Sequence, residues 1–230
     1  MRSKLFGWAV AGLLLLYYLT LILHISANYE RYQWDFRTHR QAGLIFAAGK
    51  NPYDAEILSS EAGTPLLYTY PPVTLFFYRL FASTDYRTAF HIFLFIKSIL
   101  LIGLIYFWKR EFLEQEGGAF FYLFCLLAFN TAVYRDIIAG NINLMEEAFL
   151  WLGFRFYLQR RLLLFCMFIL MAASFKMIPI AFLGLLLLSE NSRKLRYFLG
   201  AGAVFLLYLL IQYFVAPELF AGFIRNASQA

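Results

Sequence analysis

The chain has 230 residues, 62% of them hydrophobic, 15% charged and 20% aromatic, with 20 basic against 14 acidic side chains and a net charge of +6. Soluble domains carry about a quarter charged residues, so this composition excludes an ordinary water-soluble globule and points to a membrane. The positive charge sits in short turns between apolar blocks, which makes it topogenic charge rather than a nucleic-acid footprint.

Arg2 and Lys4 precede an apolar run that predicts a first transmembrane helix over residues 5–27. Ile25-Ser26-Ala27 faintly resembles a signal-peptidase site, but the run is long for a leader and further apolar blocks follow, so it reads as an uncleaved span. The basic N-terminus stays in the cytoplasm under the positive-inside rule, which sends residues 28–86 to the outside. This is the one long stretch polar enough to live in water. Residues 36–48 predict a short amphipathic helix on the membrane surface, and Asn51-Pro52-Tyr53-Asp54 reads as a turn. After Pro71-Pro72, an apolar run over residues 73–81 suits either a short span or an interfacial helix.

Further spans are expected over residues 87–108, 118–134, 141–158, 162–175, 177–188 and 197–215. If residues 73–81 do not cross, Lys109-Arg110, Arg160-Arg161 and Arg193-Lys194-Arg196 all fall in the cytoplasm. That gives an all-α integral membrane bundle of about seven helices in a plasma or inner membrane. Its large first extracytoplasmic loop holds juxtamembrane helices. The blocks at 162–175 and 177–188 are short and meet at Lys176-Met177-Ile178-Pro179; a hairpin there keeps the last two basic turns on one side, whereas a proline-kinked single helix would not. Cys125 and Cys166 lie far apart in apolar runs, without metal-ligand or disulfide spacing, and read as packing residues.

Ionisable groups inside a membrane mark function or pairing. Lys97 lies midway along the second span, and Glu146 and Glu147 lie about one turn into the fourth. Two readings stand. One is a buried Lys97–Glu146 or Lys97–Glu147 pair that fixes helix packing. The other places one carboxylate in a watery cavity open to the outer face, with Asn143 on the same helix face. In the hairpin topology Asp35 with Arg37, Tyr68 to Pro72, Asn141 with Asn143, and Lys176 are all expected on the outer side.

The ordered set Trp34-Asp35-Phe36, Asn51-Pro52-Tyr53, Tyr70-Pro71-Pro72, Gly140-Asn141-Ile142-Asn143 and Phe175-Lys176-Met177-Ile178-Pro179 resembles the GT-C membrane glycosyltransferases. It is most similar to glycosyltransferase family 87, the polyprenol-phosphate-mannose-dependent α-(1→2)-mannosyltransferases. The resemblance runs from residue 30 to about residue 190 and implies a seven-helix module whose first outer loop carries a catalytic aspartate. The sequence departs from it in three ways. Asn141 stands where the family usually has Gln, Glu146 and Glu147 stand where apolar residues are expected, and the chain ends soon after Phe223-Ile224-Arg225, where members usually continue. A fragment, a reduced protein and one half of a pair with a partner membrane subunit all fit that third departure.

The resemblance implies an inverting transfer of a sugar, mannose foremost, from a polyprenyl-phosphate donor to a glycan or glycolipid hydroxyl. Asp35 would be the base, since a single-displacement inversion needs one carboxylate opposite the leaving group. Lys176 would meet the donor phosphate, with Arg37 or Arg135 as a second cation. Tyr53, Tyr68, Tyr70, Asn141 and Asn143 would bind sugar hydroxyls or position the lipid head, and the apolar helices would hold the prenyl chain. No cofactor and no metal is expected, although Asp35 and Glu146 have the chemistry to share one. The competing class is a non-catalytic subunit that binds the lipid carrier, or a transporter, although the internal repeat of many transporters is missing.

Overall fold

The computed structural model describes residues 2–62, 67–113, 118–127 and 130–229, with side chains described from residue 5 except at 62 and 130. The chain is an all-α membrane protein. Among the described residues three helices are long and apolar enough to cross a bilayer, Leu5–Ala27, Tyr86–Glu111 and Lys194–Val215. Gly118–Leu127 and Thr131–Ala139 pass that test only together, bent by 51°, which makes four if they are one span. Residues 128–129 of the stretch expected as a span over 118–134 lie outside the described residues, as do residues 63–66 of the first loop. Leu162–Phe175 and Ile178–Leu188 are shorter apolar helices. The chain divides into two compact units, residues 1–36 with 86–144, and residues 37–85 with 145–230.

In the first unit, α1 (Arg2–Ala27) packs along α6 (Gly118–Leu127) and touches α5 (Tyr86–Glu111). One stripe of α5 is buried: Ala89, Phe90, Phe93, Leu94, Lys97, Leu101, Leu104 and Trp108. This is the spacing of a single helical face, and Lys97 is the one charge on it. The opposite face leaves Phe95, Ile99 and Ile102 exposed, as a lipid-facing helix does. α7 (Asn130–Ala139) runs past the expected end at residue 134, because Val133, Asp136 and Ile137 form a second buried stripe. Gly140 ends α7 at φ +73°, and its N–H and that of Asn141 both donate to the Asp136 carbonyl, at 3.0 and 3.3 Å. A glycine in the left-handed region is the usual way to stop a helix there.

The second unit contains the rest of the first loop and the second half of the chain. α2 (Trp34–Ala47) begins in the first unit and continues here from Arg37. It buries His39, Ala42 and Ile45, and it crosses the loop's last helix at Gly43. A Cβ at Gly43 would stand 2.9 Å from the Arg79 nitrogen. Asp54 caps α3 (Ala55–Ala62), its Oδ1 accepting from the N–H groups of Glu56 at 2.9 Å and Ile57 at 3.2 Å. α4 (Val73–Arg79) has seven residues and is about 10 Å long, far short of a bilayer. The choice left open for residues 73–81 thus resolves to a short non-spanning helix.

α8 (Asn143–Leu158) is followed by α9 (Leu162–Phe175), a 3-10 helix (Ile178–Gly184) that runs into α10 (Leu185–Leu188), α11 (Lys194–Val215) and α12 (Pro217–Ala227). Lys176 leaves α9 in an extended conformation, and Pro179 opens the 3-10 helix. The extended backbone at Lys176 breaks the helical path, and the chain reverses here. The return limb packs on α9 around Phe165, Ile169, Leu183 and Leu186, and Arg160 meets Glu190 at 3.2 Å across the base of the hairpin. α12 is strongly amphipathic and buries Gly222, Phe223 and Asn226.

Candidate functional site

Two polar groupings stand out, one in each unit. In the first, Asp35 occupies the first turn of α2, where a carboxylate is favoured by the helix dipole. Its Oδ2 accepts a hydrogen bond from Asn141 Nδ2 at 3.1 Å, between residues 106 apart in the chain. Asn141 is itself constrained: its Oδ1 accepts from the Ile142 N–H at 2.7 Å, which fixes the side chain against its own backbone. Beneath this turn, the Lys97 ammonium donates to the carbonyls of Asp136 and Asn141, each at 2.6 Å, and pairs with Asp136 Oδ2 at 2.6 Å. Two of the ammonium's three N–H groups are thus spent on backbone carbonyls, and the Asp136 carboxylate balances its charge. Both side chains are buried, Lys97 to 1% exposure and Asp136 to 5%.

Gly140 completes the arrangement. A Cβ there would lie 2.7 Å from Gln33 Cβ and 2.9 Å from Phe36 Cβ, so the Asn141 turn and the start of α2 approach as closely as backbone allows. Gln33, at φ +55°, donates its N–H to the Ile138 carbonyl at 2.6 Å, and Phe36 stacks on Phe93 with centroids 4.3 Å apart. Asp35 is therefore flanked by two residues whose positions are set by α5 and α7. Sequence reasoning weighed a pairing of Lys97 with Glu146 or Glu147 against a carboxylate in a watery cavity; the acid that the structure places against Lys97 on the facing buried stripe is Asp136. Asp136 was missed because it lies in a stretch read as a connection, although its place between Val133 and Ile137 already put it on an apolar face.

In the second unit, Lys176 Nζ lies 3.9 Å from Glu146 Oε2 and 5.8 Å from the centre of the Tyr70 ring. The lysine side chain is 30% exposed and the glutamate 14%, so the cation keeps access to a ligand while resting on an aromatic face. Tyr70 belongs to a cluster with His39, Tyr53, Tyr68 and Tyr78, and its ring centroid is 4.6 Å from that of His39. Tyr53 donates its hydroxyl to the Tyr70 carbonyl at 2.6 Å. Thr74 donates to the Pro71 carbonyl at 2.6 Å, leaving its Oγ1 to accept from the Tyr68 hydroxyl at 2.5 Å. Burial pushes both phenols above the ordinary tyrosine range, so they remain neutral donors. Tyr53 and Tyr68 thus form the wall of the loop and hold Tyr70 in place.

Asn226 in α12 is a contributor that sequence reading missed. Its buried Nδ2 donates to the carbonyls of Tyr53 at 3.1 Å and Tyr68 at 3.2 Å, and Gly222 packs against Tyr53, where a Cβ would come within 2.6 Å. The signal available in sequence was the amphipathic spacing of Gly222, Phe223 and Asn226. Of the other expected site residues, Arg37, Asn143 and Glu147 are half-buried and Arg135 is exposed on α7. Among the described residues, no three His, Cys, Asp or Glu side chains are placed to hold a metal ion.

No curated protein and no solved structure matches the chain. The profile of glycosyltransferase family 87 matches residues 68–230, which takes in the Tyr70-Pro71-Pro72 segment, the Asn141 turn and the Lys176 hairpin and leaves Asp35 outside. A match over more than half of the chain settles its kinship: this helical membrane protein belongs to glycosyltransferase family 87.

Proposed function

We propose that this glycosyltransferase moves a sugar, mannose foremost, from a polyprenyl phosphate to a glycan or glycolipid hydroxyl at the extracytoplasmic face, with inversion. In this reading Asp35 takes the proton of the acceptor hydroxyl. The freed oxygen attacks the anomeric carbon, and the bond from that carbon to the phosphate oxygen breaks, so the lipid phosphate leaves with its negative charge. Lys176 meets that charge, assisted by Arg37 or Arg135. Tyr70, Asn141 and Asn143 contact the sugar or the lipid head, with Tyr53 and Tyr68 supporting them from behind. The donor lipid, the acceptor and the membrane sidedness belong to this reading, not to the family match.

The observation that carries the proposal is the Asp35–Asn141 hydrogen bond, which joins two segments of the recognised motif set and orients one carboxylate. The test is single-turnover transfer by the full chain in proteoliposomes, with polyprenyl-phosphate mannose as donor. Asp35→Asn should lower the rate by about 10²–10⁴-fold, the usual contribution of a positioned base, and leave donor binding intact. Unchanged behaviour in every assay would instead identify a lipid-carrier-binding subunit.

A further inference from the structure

Between α9 and α11 the apolar surface is open. A groove of about 500 Å³ runs along the two helices, bordered by Leu163 and Met167 on one side and by Gly200 and Val204 on the other. Arg193 and Arg196 line the end where α11 begins. From Arg193 to Val204 the helix rises about 16 Å, the length of a good part of an acyl chain.

The neighbouring charges are already engaged. Glu190 pairs with Arg160 at 3.2 Å, and Lys194 donates to the Leu187 carbonyl at 2.9 Å. Among the described residues neither Arg193 nor Arg196 has a carboxylate within ion-pair distance. Two uncompensated guanidiniums at the head of a greasy channel complement an amphiphile with an anionic head and an apolar tail. The groove follows α9 from Leu163 to Leu170, whereas Lys176 lies beyond the helix's far end, so this is not the donor-phosphate position proposed above.

We propose that this groove binds one anionic glycerophospholipid, its phosphate held by Arg193 and Arg196 and one acyl chain laid over Gly200. The lipid is a resident ligand, distinct from the sugar donor.

The test uses the full chain in phosphatidylcholine vesicles with trace spin-labelled phosphatidylglycerol or spin-labelled phosphatidylcholine, reading the motionally restricted fraction of each. Wild type should prefer the anionic label, and R193Q/R196Q should lose that preference by about fivefold for each arginine removed. A Cβ at Gly200 meets nothing within 4 Å, so Gly200→Leu should fold, fill the groove and reduce the restricted phosphatidylglycerol with both arginines in place. K109Q/R110Q removes the same formal charge from a basic segment that does not line the groove and should leave the preference standing. Three results would overturn the proposal: equal preference in R193Q/R196Q, equal loss in K109Q/R110Q, or polyprenyl phosphate displacing the label more effectively than unlabelled phosphatidylglycerol.

Discussion

Lys97 and Asp136 form an ion pair of 2.6 Å with almost no exposed surface, and the same ammonium grips the carbonyl of Asn141. Because Asn141 in turn holds Asp35, a residue buried midway along α5 governs the placement of the candidate base. Removing one partner of a buried pair costs about 3–5 kcal/mol, since the other charge is left without compensation. Lys97→Met should therefore show a large loss in thermal or denaturant unfolding. Lys97→Met combined with Asp136→Leu should recover much of that stability. Transfer should stay low in the double variant, because the ammonium that gripped the Asn141 carbonyl is gone.

Asn141 offers a gentler probe of the same geometry. A hydrogen bond to a charged acceptor is worth about 1.5–3 kcal/mol, or roughly ten- to a hundredfold in rate when it orients the reacting group. Asn141→Ala should lower kcat within that range. Asn141→Gln keeps the amide and should keep more of the activity, so comparing kcat for the two variants checks the orienting role.

Lys176 should behave in the opposite way to Lys97. Its contact with Glu146 is long, 3.9 Å, and partly exposed, and such pairs contribute about 0–1 kcal/mol. Lys176→Met should thus unfold at nearly the wild-type temperature while the KM for the lipid-phosphate donor rises. A melting point that fell as far as that of Lys97→Met would remove Lys176 from the role of ligand cation.

Gly140 is expected to tolerate no side chain. Alanine there would adopt an unfavourable left-handed backbone, at about 1–2 kcal/mol, and would also press on Gln33 and Phe36. Gly140→Ala should lose both stability and transfer. Gly200→Ala, whose Cβ enters open space, should lose neither in the same unfolding and activity assays.

Asn226 is predicted to secure the loop. With alanine in its place, the buried carbonyls of Tyr53 and Tyr68 lose a donor, at about 1–3 kcal/mol for each group left unsatisfied. The change should appear as faster proteolytic cleavage between residues 53 and 70, with cleavage at the basic turns of the hairpin unaltered.

The features legible in the sequence were those that repeat over many residues. α1, α5 and α11 announce themselves by long, even hydropathy, and the hairpin at Lys176 by two short blocks meeting at Pro179. Asp136 as a partner of Lys97 was not legible, since it sits in a stretch read as a connection and only the register of α7 against α5 brings it to the lysine. The burial of Tyr53 and Tyr68 was hidden for a different reason. Tyrosines in a polar loop look exposed until it is known that a distant amphipathic helix covers them, and such long-range docking leaves little local trace.

That distance has a consequence for how the molecule is made. Tyr53 and Tyr68 are 173 and 158 residues ahead of the asparagine that clasps their carbonyls. At ordinary ribosomal speed, on the order of ten seconds or more separates the arrival of the two parts. During that interval the tyrosine-rich segment waits in an unlatched state, a target for quality-control proteases and for any chaperone that recognises bare aromatic rings. Maturation should accordingly show a discrete gain in protease resistance, timed to the emergence of α12.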